Sequence, residues 1–310
     1  MGFRPGRILV TGGAGFIGSH LVEALLAQGR PVRVLDNLVT GSRANLQHLD
    51  GFEWVEGDLQ DYETCREACE GVSGVLHQAA IPSVPRSVED PLGSFRSGPV
   101  ATSNLLEAAR LAGVGRLVFA ASSSAYGDTE ELPKHEGMLP RPLSPYAAGK
   151  LASEYSVRVY AETMGLDGVS LRYFNVFGPR QDPSSPYSGV ISLFNRAMSR
   201  GDRPIIYGDG GQTRDFTFVA NVVRANLLAL DAPGPLRGEV LNVGTGEQVS
   251  LLDLVAAINR LLGRDVVPEF RPGRPGDVRH SLADLGRIRA VLGYEPTVRF
   301  ADGLKLTLAG

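Results

Sequence analysis

Along the first 180 residues, short apolar runs alternate with longer stretches whose apolar positions recur every three to four residues. Arg7-Ile-Leu-Val-Thr11, Pro31-Val-Arg-Val-Leu-Asp36, Phe52-Glu-Trp-Val-Glu56, Gly74-Val-Leu-His-Gln78, Arg116-Leu-Val-Phe-Ala-Ala121 and Val169-Ser-Leu-Arg-Tyr173 have the length and content of buried strands. Residues 19–28, 62–70, 100–111 and 145–164 carry helical periodicity, and Gly29 and Gly113 stand just past helix ends. This alternation predicts an α/β protein with a Rossmann-type doubly wound parallel sheet. Ligands of such sheets bind beyond the carboxyl ends of the strands. Asp36, Asp58, Ala79-Ala80 and Ser122 follow strands directly, so they should line one crevice.

The rest of the chain is less regular. Residues 181–188 read as a Pro/Ser-rich loop, Gly208-Asp-Gly-Gly211 as a turn and 271–277 as a basic, kinked loop. Helices are expected over 189–200, 219–230, 251–262 and 283–292, the last clear one, and strands over 204–207 and 239–243. The expected organisation is a Rossmann domain over 1–174, rejoined by about 215–243. A smaller α/β domain would comprise 175–214 and 244–310.

The first turn carries the most specific chemistry. Gly12-Gly-Ala-Gly15-Phe-Ile-Gly18 lies between a strand and a helix, and Asp36 ends the next strand. That is the setting of a dinucleotide-binding turn, where glycines admit a pyrophosphate and the helix start favours its charge. Asp36 can accept from both ribose hydroxyls of NAD and would repel the 2′-phosphate of NADP. Tyr146 and Lys150 stand four apart and share a helix face. A nearby ammonium favours a phenolate, which can then move a proton to or from an alcohol near neutral pH. Alone, the pair reads first as a solvated helix face. Downstream of an NAD site, and with Ser122 ending a central strand, it forms a Ser/Tyr/Lys constellation. Arg214 and Arg274 lie in polar loops, where they serve either solubility or a diphosphate clamp.

Composition narrows the classes. The 310-residue chain has a net charge of −3 and a pI near 6.0, which gives no bulk attraction to nucleic acid. No run of 18 apolar residues predicts a membrane span, and the amino end reads as a lead-in to the first strand rather than a signal peptide. A cytoplasmic protein is expected. Cys65 and Cys69 have helical spacing and no histidine cluster beside them, so thiols in a reducing compartment are expected rather than a metal site or disulfide.

Taken together, these motifs resemble the extended short-chain dehydrogenase/reductases, and within them the UDP-hexose 4-epimerases. The resemblance runs from about Arg7 to about Leu292. It is carried by Thr11–Gly18, Asp36-Asn37-Leu38, Gly57-Asp58-Leu59, His77-Gln-Ala-Ala80, Ser122-Ser-Ser-Ala-Tyr-Gly127, Ser144-Pro-Tyr-Ala-Ala-Gly-Lys150, Leu171-Arg-Tyr-Phe-Asn-Val176, Arg214-Asp-Phe216, Asn242-Val-Gly244 and Arg274-Pro-Gly-Asp277. It implies that NAD is held by Gly12, Gly15, Phe16, Ile17, Gly18, Asp36, Asn37, Ser42, Asp58, Leu59, Gln78, Ala79, Ala80, Ser97, Tyr173 and Val176, with Tyr146 and Lys150. It further implies that Tyr146 exchanges the proton of the sugar 4-hydroxyl, that Lys150 lowers the Tyr146 pKa, and that Ser122 and Ser124 bind the reacting end. The UDP-sugar would meet Val84, Arg86, Asn175, Gly189, Val190, Ile205, Tyr207, Arg214, Arg274, Asp277 and Ser281. Related dehydratases and decarboxylases place acids where this chain has Ser123 and Ser124, which disfavours both reactions. Small Ser281, and the segment Ser83–Ser87, imply UDP-GlcNAc/UDP-GalNAc as substrates, with UDP-Glc/UDP-Gal left open alongside. The resemblance also implies a homodimer built on helices 100–111 and 146–164. Alternatives are a UDP-glucuronate 4-epimerase, a 4-keto-sugar reductase or a non-catalytic nucleotide sensor. Two departures stand out: Ser97 replaces an Asn near the nicotinamide ribose, and Pro99 should break any helix passing through it.

Overall fold

A computed structural model of the chain describes residues 6–182, 189–273 and 278–309. The chain runs β1 (Arg7–Thr11), α1 (Phe16–Ala27), β2 (Val32–Asp36), β3 (Phe52–Glu56), α2 (Tyr62–Cys69), β4 (Val72–His77), α3 (Val84–Glu89), α4 (Pro91–Phe95), α5 (Ala101–Leu111), β5 (Arg116–Ser122), α6 (Pro145–Thr163) and β6 (Gly168–Tyr173). It continues through β7 (Val176–Phe177), α7 (Val190–Arg200), β8 (Ile205–Tyr207), β9 (Thr213–Arg214), β10 (Thr217–Phe218), α8 (Val219–Asp231), β11 (Glu239–Val243), β12 (Val249–Ser250), α9 (Leu251–Leu262), β13 (Glu269–Arg271), α10 (Gly286–Leu292) and α11 (Phe300–Ala309). Seven strands form one parallel sheet in the order β11-β6-β5-β4-β1-β2-β3. The order reverses beside β1, which is where a doubly wound sheet opens its crevice.

Each central strand feeds two cores because successive side chains point to opposite faces. Ile8, Val10, Val34, Leu76, Val118 and Leu171 pack with α1 and α8 on one face. Leu9, Leu35, Val75, Leu117 and Phe119 pack with α2, α5 and Val157 of α6 on the other. Cys65 and Cys69 lie in this second core as free thiols. Burial pushes both up to about 12, so they stay protonated and inert.

The amino edge of the sheet is where helices end, and two buried arginines satisfy their last carbonyls. Arg33 donates to Glu67, Ala68 and Glu70 at the end of α2. Arg116 donates to Ala229, Leu230 and Ala232 at the end of α8, and to the Asp167 carboxylate at 2.8 Å. A guanidinium suits this position because helix carboxyl ends carry unsatisfied carbonyls and partial negative charge.

Several boundaries differ from the sequence reading. The helix before residue 100 is not broken at Pro99: a π-helical turn, Arg96–Val100, joins α4 to α5 with Pro99 buried inside it. The widened turn accommodates a residue that lacks an N–H. The helix expected over 283–292 begins only at Gly286, because Lys134 forms a bridge with Ala283 and draws that segment into extended pairing. α3, α4 and α11 have no counterpart in the sequence reading. β13 takes Arg271 from the expected loop by pairing with β8. A third core, around Phe177, Phe194, Ile206, Phe216 and Leu254, gathers α7, α9 and α11 beside the sheet.

Replacing Arg116 with Met should destabilise the fold by roughly 3–5 kcal/mol, since it strands several buried acceptors and one carboxylate. Urea unfolding followed by circular dichroism measures this; a change under about 1 kcal/mol, the range of an exposed pair, contradicts it.

Candidate active site

A crevice of about 1890 Å³ opens along the carboxyl edge of the sheet. At its centre the β1–α1 turn brings backbone against backbone. Gly12 has φ of +66°, and a Cβ there would lie 2.7 Å from Ala79 Cα. A Cβ on Gly18 would lie 2.1 Å from the Gly12 carbonyl oxygen. Side chains are thus excluded, and no side chain caps the start of α1. The Asp36 carboxylate is fixed at the end of β2 by the backbone N–H groups of Ala14 at 2.9 Å and Leu38 at 2.8 Å. Beside it the Asn37 amide donates to Asp58 at 3.0 Å. A glycine cradle, an uncapped helix start and a fixed carboxylate suit NAD: pyrophosphate over the turn, ribose at Asp36.

The crevice floor further along is made by β4, β5 and β6. Gln78 just past β4, Tyr173 at the end of β6 and Asn226 of α8 form a hydrogen-bonded triangle of 2.8–3.2 Å contacts. Below it, His77 bridges the Thr11 and Thr102 hydroxyls at 2.8 and 3.0 Å. Burial pulls this imidazole down to about 3, so it stays neutral and serves as a strut rather than a base.

Ser122 ends β5, and its Oγ accepts from the Ser124 hydroxyl at 2.8 Å and the Ser124 N–H at 3.2 Å. Tyr146 and Lys150 face the same wall from the first turns of α6. Pro145 opens that helix, and the Ser144 hydroxyl caps it by accepting from Ala147 N–H at 3.1 Å. A buried two-pronged pair, Arg172 with Glu154 at 2.9 and 2.6 Å, ties α6 to β6 one turn beyond Lys150. Lys150 Nζ donates to the Ala120 carbonyl at 2.7 Å and stands 4.9 Å from the Phe119 ring centre. Burial draws its ammonium down to about 8. Burial raises the Tyr146 phenol, and a hydrogen bond with Ser122 offsets part of that rise. The phenol is therefore raised on balance rather than lowered, burial being the larger effect.

Most residues singled out from sequence meet in this one crevice. Gly12, Gly15, Phe16, Ile17, Gly18, Asp36, Asn37, Ser42, Asp58, Leu59, Gln78, Ala79, Ala80, Ser97, Tyr173 and Val176 line it, as do Ser122, Ser124, Tyr146 and Lys150. So do Val84, Arg86, Asn175, Gly189, Arg214 and Ser281. The Ser97 hydroxyl is turned back onto its own helix, donating to Gly93 O at 2.8 Å. Val190, Ile205 and Tyr207 do not line it. Val190 packs against the third core, and β8 turns Ile206 inward between its two neighbours. Arg274 and Asp277 lie outside the described residues. The wall also contains Asn45, Lys134, Arg180 and His280, which the sequence reading passed over. All four sit in or beside loops without periodicity, and only the tertiary fold brings them here.

A doubly wound parallel sheet with this cradle, carboxylate and Ser/Tyr/Lys wall defines an NAD-dependent enzyme. The chain belongs to the NAD dependent epimerase/dehydratase family, whose model matches residues 8–244. It is 43% identical over 97% of both chains to a UDP-glucose 4-epimerase of Mycolicibacterium smegmatis. Among solved structures, it is 42% identical to a Thermus thermophilus UDP-glucose 4-epimerase complex with NAD, covering 98% of each chain with a TM-score of 0.89. It is 36% identical, at a TM-score of 0.93 and covering 99% of this chain and 98% of the other, to a UDP-N-acetylglucosamine 4-epimerase from Methanobrevibacter ruminantium M1 in complex with UDP-N-acetylmuramic acid. Its place among these relatives makes it an enzyme of the isomerase class.

Gly18→Ala should weaken NAD binding roughly 10-fold or more, about 1.4 kcal/mol, because the new methyl collides with the Gly12 carbonyl. Titration calorimetry with NAD checks this; unchanged affinity contradicts the close-approach argument.

Proposed function

We propose that the enzyme interconverts the C4 epimers of a UDP-hexose. The observation that carries this reading is the shared wall on which Ser122, Tyr146 and Lys150 meet, in the crevice whose other end is formed by the Asp36 cradle. Residues around the Gly12–Gly18 turn and Asp36 would hold NAD, which supplies a hydride acceptor and donor at the sugar carbon.

The chain's own groups account for the remaining steps. Tyr146 takes the proton of the sugar 4-hydroxyl and later returns it, and Ser122 holds the reacting oxygen through a hydrogen bond. Lys150, held by Ala120 O, places a positive charge behind that wall and orients the cofactor ribose. Arg214 grips the diphosphate by charge-assisted bonds. A nucleotide held firmly at its phosphates leaves the 4-keto sugar free to turn about its link and present its other face. Ser123 and Ser124 supply no carboxylate, so neither is equipped to drive loss of water or of carbon dioxide.

Ser281 supports a choice of sugar. It is largely buried in the crevice wall, and its backbone N–H is fixed to Thr213 O at 3.2 Å. A hydroxymethyl group at this point leaves room for an N-acetyl substituent, so UDP-GlcNAc/UDP-GalNAc is the favoured pair, with UDP-Glc/UDP-Gal alongside.

Tyr146→Phe should lower turnover roughly 100- to 10,000-fold while UDP-sugar affinity holds, read by coupled assay and calorimetry; near-normal turnover removes Tyr146 from the chemistry. Ser281→Tyr should raise the ratio of UDP-Glc to UDP-GlcNAc turnover about 10-fold or more. An unchanged ratio in parallel kcat/KM measurements rules out Ser281 as the gate.

A further inference from the structure

The contact between Pro99 and Gly149 lies directly under the pair that the proposed mechanism uses. Gly149 is buried within α6, between Tyr146 and Lys150. A Cβ built on it would lie 3.3 Å from Pro99 Cδ and 3.6 Å from Pro99 Cγ. Glycine is a poor helix former, so its presence in a helix interior calls for a reason in packing. Here the reason is the proline ring, which the π-helical turn Arg96–Val100 presents to α6.

That turn is itself well fixed. The Ser97 hydroxyl donates to Gly93 O, and one turn further on Thr102 is bonded to both His77 and Ser153. Ser153 is the next small residue of α6 along the same seam, and beyond it Tyr160 donates to Glu107 at 3.2 Å. The two helices therefore touch at three levels: Pro99 on Gly149, Thr102 on Ser153 and Glu107 on Tyr160. The first of these is a contact of ring against backbone with no hydrogen bond, so its spacing is set by contact alone. It is also the level at which the catalytic pair leaves the helix.

We propose that Pro99, seated in the π-helical turn against Gly149, is a positioning residue that sets how far Tyr146 and Lys150 reach into the crevice. A methyl at position 149 pushes the first turns of α6 away from α5, while Arg172–Glu154 holds the helix further along. The reaction suffers more than the fold, because a small displacement of reacting groups is costly and alanine favours the helix. Tyr146 is held between burial, which raises its pKa, and the Ser122 bond, which lowers it, so a displacement changes the pH at which the phenol ionises.

The inference rests on the reading that Tyr146 and Lys150 carry the chemistry, and the test separates the two. Wild type, Gly149→Ala, Pro99→Ala and the double variant are loaded with NAD and assayed with UDP-GlcNAc and UDP-Glc; failure of the wild type on both sinks the underlying reading, not the positioning. Tyr146 ionisation is followed in the same proteins by ultraviolet difference against Tyr146→Phe backgrounds, which needs no substrate. Gly149→Ala should lower kcat on the order of 10-fold with KM within about 3-fold, shift the pH at which Tyr146 ionises, and leave the melting temperature no lower. In the double variant, removal of the ring should restore most of kcat and return the ionisation toward wild type. Wild-type kcat and ionisation in Gly149→Ala overturn the proposal, as does a loss that Pro99→Ala fails to repair. Should Gly149→Ala not fold, Pro99→Ala alone decides: a shift in Tyr146 ionisation supports the contact, and none overturns it.

Discussion

Parallel strand direction is the constraint on which the rest depends. With all seven strands running one way and helices returning between them, the sheet acquires two chemically different edges. The amino edge collects helix carboxyl ends, rich in unpaired carbonyls. The carboxyl edge collects helix starts, rich in unpaired N–H groups. The molecule treats these edges differently. Arg33 and Arg116 close the first from within, each reaching carbonyls at the end of a helix. The second is left open at the Gly-rich turn, where no side chain caps α1. An anionic ligand belongs there because this helix start, unlike that of α6, has no side-chain cap.

The same geometry explains why buried polar groups sit where they do around the catalytic wall. His77, Thr11, Thr102 and Ser153 connect two strands and two helices through one chain of hydrogen bonds. A charged imidazole in that chain would be expensive, and burial keeps it neutral. Lys150 is the contrasting case. Its ammonium has a backbone carbonyl and an aromatic face as partners, and both favour the cation against the burial that lowers its pKa. The buried Arg172–Glu154 pair fixes orientation through its two-pronged geometry. It holds α6 against β6, while the α5 seam holds the same helix from the side.

How far this could be read from sequence depended on whether the signal was local. Buried parallel strands announce themselves as apolar runs, and the Gly12–Gly18 turn with Asp36 needs only the spacing of one strand–helix–strand unit. The Tyr146 and Lys150 pair is likewise legible at i, i+4. Pro99 misled because the rule against proline in helices assumes an α-helical turn, and a single widened turn removes the conflict. Val190, Ile205 and Tyr207 were placed by resemblance alone, and the third core takes Val190 and, from β8, Ile206. Lys134 and His280 reach the wall through pairing between segments far apart in sequence, which no periodicity records.

The wall opposite the sheet is built on a different principle. Its segments are loops and two-residue strands, and the buried Asp215 carboxylate ties them together. It accepts from the Thr245 N–H and hydroxyl at 2.8 Å, from Gly246 N–H at 2.9 Å and from Ala283 N–H at 3.2 Å. Burial raises its pKa, while these hydrogen bonds favour the charged form. One carboxylate thus joins the strand carrying Arg214 to the segment carrying Ser281. Ser281 itself is attached to that frame through its backbone, leaving its side chain as the variable part. Arg214 and Ser281 can then be changed independently, because the knot that positions both lies behind them.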